Sequence, residues 1–546
     1  MQQTTLKGIS FHHPVAFWLG CALLIAGVLS HGPMLAMGAH THYHLAGMPM
    51  DPVMLAGMAV IPVGLLLAMY GLMPRLEQMR QVLQRARDHV SFHIADSVPL
   101  NSEHWTLVIV LIVALAIDVM KPATLGFVMP GMTAEYAISK QTGGLLALIA
   151  LCGTTVGSVA WGRIGDVFGR RAAILLSALM FMGTAICGAM PSYGWNLAMC
   201  FMMGLAAGGM LPIAFTLMAE TVPAAHRGWL LVMLGGIGTS AGYLLAAGAA
   251  TLLEPEFSWR SLWLLNLPTG AVILLLNRWI PESPRFLSSV GLENEARAVL
   301  LKFAGNGSSA GAPVLERDQA VDDGNATEDS DVGMRQLLRG RHARITWGLV
   351  LCGVAWGLVN FGFLLWLPTN LVNLGIEAKG TSALLARSAI LALPGIALVV
   401  WLYHRWSSFK SLVLFIALTT GALLAFCGMA LAGVRSADAT TLAAVALLIS
   451  VSGVIAMLIP YAAEIYPVQL RGTGSGLIAA SSKFGGILGA GLGVLGFFEH
   501  FVWSAVLIAV PMAISAVLLT ASGIETRGVG LEAIQQKLSR VPAAET

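Results

Sequence analysis

AETVPAAHRG at residues 219–228 and AEIYPVQLRG at residues 463–472 are two copies of one pattern, AExxPxxxRG. Each copy follows an apolar segment (195–218 and 440–462) and opens a glycine-bearing one (228–253 and 473–497), with Gly242 and Gly486 at the same distance from the motif. Small residues at such positions let helices approach closely in lipid. One motif recurring at the same place in two series of apolar segments implies two equivalent halves, and parallel halves of six helices are the plan of one transporter architecture.

Working outward, a template of about 20 apolar residues gives about fourteen membrane segments. The first half comprises 105–128, 142–161, 172–190, 195–218, 228–253 and 259–280; the second comprises 345–368, 382–403, 409–431, 440–462, 473–497 and 501–522. Two more, 15–37 and 53–73, precede them. The first of these is too long for a signal-peptide core and has no small-residue cleavage site behind it, so it reads as a membrane helix. The expected organisation is a helical pair with an outward loop (1–74), a basic connector (75–104), a six-helix bundle (105–280), a polar linker (281–344), a second bundle (345–523) and a tail (524–546). Arg75, Arg80, Arg85 and Arg87 place the connector, and with it both termini, on the cytoplasmic side of an inner membrane. The middle of the linker, 305–333, is too poor in apolar residues to fold alone. The fold class is therefore all-α membrane protein, two parallel six-helix bundles plus two extra amino-terminal helices.

Composition agrees. Of 546 residues, 57% are apolar and 11% charged, and the mean hydropathy is +0.77, which excludes a water-soluble surface. A net charge of +3, spread over short clusters between apolar runs, argues against nucleic acid as a partner. The six cysteines lie in apolar stretches without ligand spacing, and there is no GxxxxGK[ST] loop to bind ATP. The implied partners are the bilayer, protons and a small organic solute, with no cofactor, no enzymatic activity and a monomeric chain.

GSVAWGRIGDVFGRR, residues 157–171, resembles the signature loop of the major facilitator superfamily, and the resemblance extends over roughly 105–534. Gly162, Gly165 and Gly169 suit a tight turn, Asp166 a helix cap, and Arg170 and Arg171 a cytoplasmic anchor. The resemblance implies a latch between conformations, assigned to Asp166, Arg170 and Arg171 with Glu220 and Arg227, and to Glu464 and Arg471 in the second half; simple topology anchoring is the other reading. PESPRFL (281–287) and IETRG (524–528) are similar to sugar-porter signatures. The seventh core segment, CGVAWGLVNFGFLLWLP (352–368), lacks the paired glutamines of hexose carriers and is more similar to the organic-ion, aromatic-acid and synaptic-vesicle-protein-like branches.

Charges inside the membrane are costly, about 2.5 kcal/mol or more each, and usually functional. Asp118 and Lys121 stand three apart in the first core segment, just before Pro122. Asp118 is the candidate proton site, with Lys121 and Arg387 as cations for an anionic solute; a static ion pair, and an arginine reaching for the interface, are the plain alternatives. Trp356, Asn360, Phe363, Trp366 and Asn370 are candidates to line a cavity that stacks on and hydrogen-bonds the solute, the first three sharing one helical face; lipid-facing or interfacial aromatics are the plain alternative. Lys483 reads as part of the latch or as a solute contact. In the outward loop, His40, His42 and His44 are weak candidates for a soft transition metal, against a merely polar loop. The functional expectation is a secondary transporter moving an organic acid, aromatic compound or sugar-like solute by proton symport and alternating access. A proton-antiport exporter of toxic solutes and a sensor derived from a transporter, metal-linked or not, are the alternatives.

Overall fold

The computed structural model describes residues 13–72, 99–289, 293–304, 340–373, 378–433, 436–466 and 468–526. Most of the basic connector, the middle of the linker and nearly all of the tail lie outside these residues, as do the side chains of Asp166, Glu464 and Arg471. Among the described residues every regular element is helical, and twelve continuous helices are long and apolar enough to cross a membrane.

Two of these precede the core. α1 (Pro14–Leu29) and α2 (Pro52–Leu72) lie side by side, backbone against backbone. A Cβ on Gly20 would sit 2.5 Å from the Gly64 carbonyl oxygen, so only glycine permits that spacing. The pair rests on α5 (Arg170–Gly183) of the core. The loop between them is fastened to the core by Glu135, whose Oε1 accepts the N–H groups of Leu45 (2.8 Å) and Ala46 (3.1 Å). Arg260 holds the same carboxylate at 2.6 Å and 3.2 Å, and Trp259 Nε1 donates to it at 2.9 Å.

The first half of the core runs through α3 (Ser102–Glu135), α4 (Lys140–Phe168), α5, α6 (Tyr193–Ala207) with α7 (Met210–Thr221), α8 (Ala224–Phe257), and α9 (Arg260–Leu264) with α10 (Asn266–Leu276). Ten core segments are continuous; the fourth and sixth are each made of two helices. The break in the fourth falls at Gly208 and Gly209, and the Gly208 carbonyl is taken up by Ser158 Oγ at 2.9 Å. α3 is longer than the apolar run that marks it, because Asn101 caps its start and the polar ends carry no hydropathy signal.

The second half runs through α11 (Gly340–Gly357) and α12 (Leu364–Asn373), joined by a π-helical turn at Leu358–Phe363, then α13 (Ala378–Trp401), α14 (Ser408–Leu431), α15 (Ala437–Ile465), α16 (Val468–Val494) and α17 (Phe501–Ser522). The halves meet along α4 against α16 and α8 against α13, and Ser240 Oγ donates to Ser452 Oγ at 3.0 Å across the middle.

The repeated motif takes the same place in both halves. Glu220 is the penultimate residue of α7 and Glu464 of α15, and the next helix opens three residues after each end, at Ala224 and Val468. The two terminal signatures repeat as well. Glu282, in PESPRFL, accepts the N–H groups of Arg170 (2.7 Å) and Arg171 (3.2 Å) and so caps α5; Glu525, in IETRG, accepts from Ser408 N (3.1 Å) and Oγ (2.8 Å) and caps α14. Each half thus ends on a glutamate that returns to the start of its own third helix.

Candidate transport site

A cavity of about 170 Å³ lies between the halves, lined by α3, α4, α6 to α8, α11, α12, α15 and α16. Its walls are mainly apolar and aromatic: Phe127 and Tyr243 from the first half, Trp356 and Phe361 from the second. Trp356 Nε1 donates to the Val451 carbonyl (2.9 Å), which fixes the indole and leaves its ring as the exposed feature. Tyr243 Oη is buried and has no hydrogen-bond partner among the described residues.

Among the described residues two charges line this space, Asp118 from α3 and Lys483 from α16, and they interact electrostatically. Asp118 also accepts a hydrogen bond from Lys121 Nζ at 3.1 Å. Lys121 itself is 1% exposed and points away from the cavity, its ammonium 3.7 Å from the centre of the Phe181 ring. The expectation that Lys121 faces solute is corrected by this placement. Arg387 is corrected too: its side chain is 67% exposed and stands 3.8 Å from Asp438, outside the cavity.

Of the aromatic and amide candidates, Trp356 and Asn360 line the cavity, and Phe363, Trp366 and Asn370 do not. Phe363 is fully buried against Phe426, with ring centres 5.5 Å apart. The π turn is the reason. It adds a residue to one turn, so the face that begins at Trp356 continues through Asn360 and Phe361 to Leu364, Leu365 and Pro368. Helical spacing of 3.6 carries the count to Phe363 and misses Phe361.

Several of the expected latch residues converge at the end of the bundle opposite Glu135. Arg170 Nη2 lies 3.8 Å from Glu220, whose other oxygen accepts from Ser283 Oγ at 2.5 Å, and Arg170 Nη1 donates to the Gly165 carbonyl at 3.0 Å. Arg227 Nη2 reaches the Val222 carbonyl at 3.4 Å. Arg171 turns inward instead, donating to Asn277 Oδ1 and to the Asn277 carbonyl, both at 2.9 Å, which ties α5 to the end of the sixth segment. Of the three glycines expected to turn the loop, only Gly169 breaks the helix, with a φ of 100°; α4 runs straight through Gly162 and Gly165. Glu282 occupies the space a side chain at 169 would fill. Burial pushes the Glu282 carboxyl up to about 6, against the lowering effect of the backbone N–H groups and Arg170.

His40 and His42 sit on the loop between α1 and α2, and His44 Nδ1 stands 3.5 Å from Glu135. No group of three His, Cys, Asp or Glu side chains suited to a metal forms among the described residues.

Residues 107–490 match the Major Facilitator Superfamily profile. The chain belongs to that superfamily. Relatives within it include the niacin transporter NiaP of Acinetobacter baylyi, 29% identical over 453 residues, 80% of this chain and 98% of that one. The 4-hydroxybenzoate transporter PcaK of Pseudomonas aeruginosa is 27% identical over 434 residues, 77% of this chain and 93% of that one. Among solved structures, the proton:xylose symporter XylE bound to 6-bromo-6-deoxy-D-glucose superposes with a TM-score of 0.64 at 18% identity, covering 80% of this chain and 99% of that one; at that identity it shares the superfamily fold. As a member of the superfamily the chain is a multi-pass membrane transporter of small organic solutes and not an enzyme.

The cavity-lining residues that sequence reasoning did not single out are Tyr243, Phe127 and Phe361, while Lys483, read from sequence as latch or solute contact, lines the cavity. Lys483 is visible as a lone charge in an apolar segment, but nothing in the sequence sets it opposite Asp118.

Proposed function

We propose that this chain carries a small aromatic carboxylate inward across the cytoplasmic membrane together with a proton, by alternating access. The observation that carries the reading is the cavity itself, whose lining among the described residues includes one lysine, Lys483, together with Asp118 and the rings of Phe127, Tyr243, Trp356 and Phe361. An ammonium in a mainly apolar space is matched by one carboxylate, and flat aromatic walls by a flat ring. The names of relatives agree in chemistry: niacin, 4-hydroxybenzoate and gallate are the solutes of three of them.

Asp118 is the proposed proton carrier. Ionised, it is held by Lys121 and competes with the solute for Lys483; protonated, it releases Lys483 to the solute carboxylate. Lys121, fixed on Phe181, is the counter-ion of the empty carrier. The proposed orientation puts both termini and the Arg170–Glu220 cluster on the cytoplasmic side, where that cluster and the Glu464 and Arg471 copy act as the latch of a monomeric carrier.

The test is Asp118→Asn in membrane vesicles. It is expected to abolish accumulation driven by a proton gradient and to leave exchange of labelled for unlabelled solute intact. Unchanged accumulation would remove Asp118 from the proton role.

A further inference from the structure

Three buried side chains of α12 carry hydrogen-bonding atoms that have no partner among the described residues: Trp366 Nε1, Thr369 Oγ1 and Asn370 Nδ2. Their exposures are 2%, 7% and 4%. A spacing of three and four residues sets them on one helical face. Trp366 shows where that face points, because its indole lies against Gly144 of α4 and Gly493 of α16, in the seam between the two halves. Near the same end, Gln141 Nε2 donates to Glu499 Oε1 at 2.7 Å and ties the halves together. None of the three lines the central cavity.

Enclosing a donor without an acceptor costs free energy, and three neighbouring cases on one face are rare in a native structure. Alternating access supplies a physical reason. The end that holds Gln141 and Glu499 is the outer end in the proposed orientation, and its halves must part to admit solute. Groups orphaned while this seam is shut become the wall of the entry path when it opens. We infer that Trp366, Thr369 and Asn370 form an outer entry site that receives the carboxylate of the solute before it reaches Lys483.

An indole N–H, a hydroxyl and an amide are all hydrogen-bond donors, which suits an anionic acceptor. None of them is charged, so the site holds an anion less firmly than Lys483 does and passes it inward. The chemistry of the incoming group and the outward direction of the site rest on the proposed function; its position in the molecule rests on the α12 face.

Asn370→Cys in the otherwise native chain, labelled in right-side-out vesicles with a membrane-impermeant maleimide, reads the site directly. Labelling above that of the native chain is expected, slowed at least fivefold by 4-hydroxybenzoate. The slowing is expected to persist when Lys483→Gln is added, since the entry site does not use that lysine. No labelling above the native chain, a rate indifferent to 4-hydroxybenzoate, or protection that disappears with Lys483 would each overturn the site. Failure of the central lysine alone therefore does not mimic failure here. A second variant, Thr369→Val, is expected to raise the KM for uptake from the outer side about tenfold and to leave the KM measured in inside-out vesicles unchanged; an equal change on both sides, or none, would contradict the proposal.

Discussion

At the level of single residues, the proposed recognition of solute turns on one lysine. Lys483 is the cation of the cavity, and a hydrogen bond to a charged group contributes about 1.5–3 kcal/mol. Lys483→Gln is therefore expected to raise the KM for 4-hydroxybenzoate by about 10- to 100-fold. Lys121 and Arg387 are both eligible from sequence, with an interfacial role the alternative for Arg387, since any charge in an apolar run stands out by its cost. What the sequence does not carry is direction. Lys121 and Asp118 are three residues apart on one helix, yet one faces Phe181 and the other the cavity, because the flexible lysine stem lets the ammonium swing to the neighbouring ring. Arg387→Ala, by the same geometry, is expected to leave uptake kinetics within about twofold of the native chain, as suits an exposed surface pair.

At the level of helices and their ends, the two terminal signatures explain themselves once their glutamates are seen as caps. PESPRFL and IETRG were legible only as family marks; that Glu282 and Glu525 return to α5 and α14 depends on contacts more than a hundred residues apart in sequence, which no local pattern encodes. Burial raises Glu282 from 4.5 to about 6, so the folded chain binds this proton more tightly than the unfolded chain does. Stability from this group is fully present below about pH 4.5 and declines as the pH rises to 6. For a wholly enclosed carboxyl the difference is about 2 kcal/mol, and Glu282 keeps some exposure, which brings it nearer 1 kcal/mol. Thermal unfolding in detergent is expected to show this decline between pH 4.5 and 6 in the native chain and not in Glu282→Gln; parallel curves would contradict the assignment. Glu135 gives a second case. Its carboxylate gathers Arg260, Trp259 and two loop N–H groups, so Glu135→Ala leaves Arg260 enclosed without its partner and is expected to cost about 3–5 kcal/mol in the same measurement. The π turn at Leu358–Phe363 belongs to this scale too: it redirects a face by one residue, and nothing in VNFGF distinguishes it from an ordinary helical turn.

For the molecule as a whole, the repeated AExxPxxxRG motif carried the architecture, because its two copies end equivalent helices and fix the count of six and six. The seat of the amino-terminal pair on α5 and Glu135 was not legible, since the packing of one glycine-bearing helix against another leaves no partner-specific trace. Charge on the scale of the whole cavity decides how transport responds to voltage. With Asp118 ionised, Asp118, Lys121 and Lys483 sum to +1 when empty; with Asp118 protonated and one solute anion bound, the sum is again +1. Entry of one proton with one carboxylate is thus electroneutral, and uptake is expected to follow a pH gradient and to ignore an imposed membrane potential.

The most direct measurement is uptake of labelled nicotinate, 4-hydroxybenzoate and nicotinamide by right-side-out vesicles holding an inwardly directed proton gradient. Both carboxylates, or one of them, are expected to accumulate above equilibrium in the native chain and not in Asp118→Asn, and the neutral amide is expected to stay at equilibrium. Accumulation of the amide to the same degree, or failure of every aromatic carboxylate to accumulate while a sugar or an organic cation does, would contradict a cavity built around Lys483.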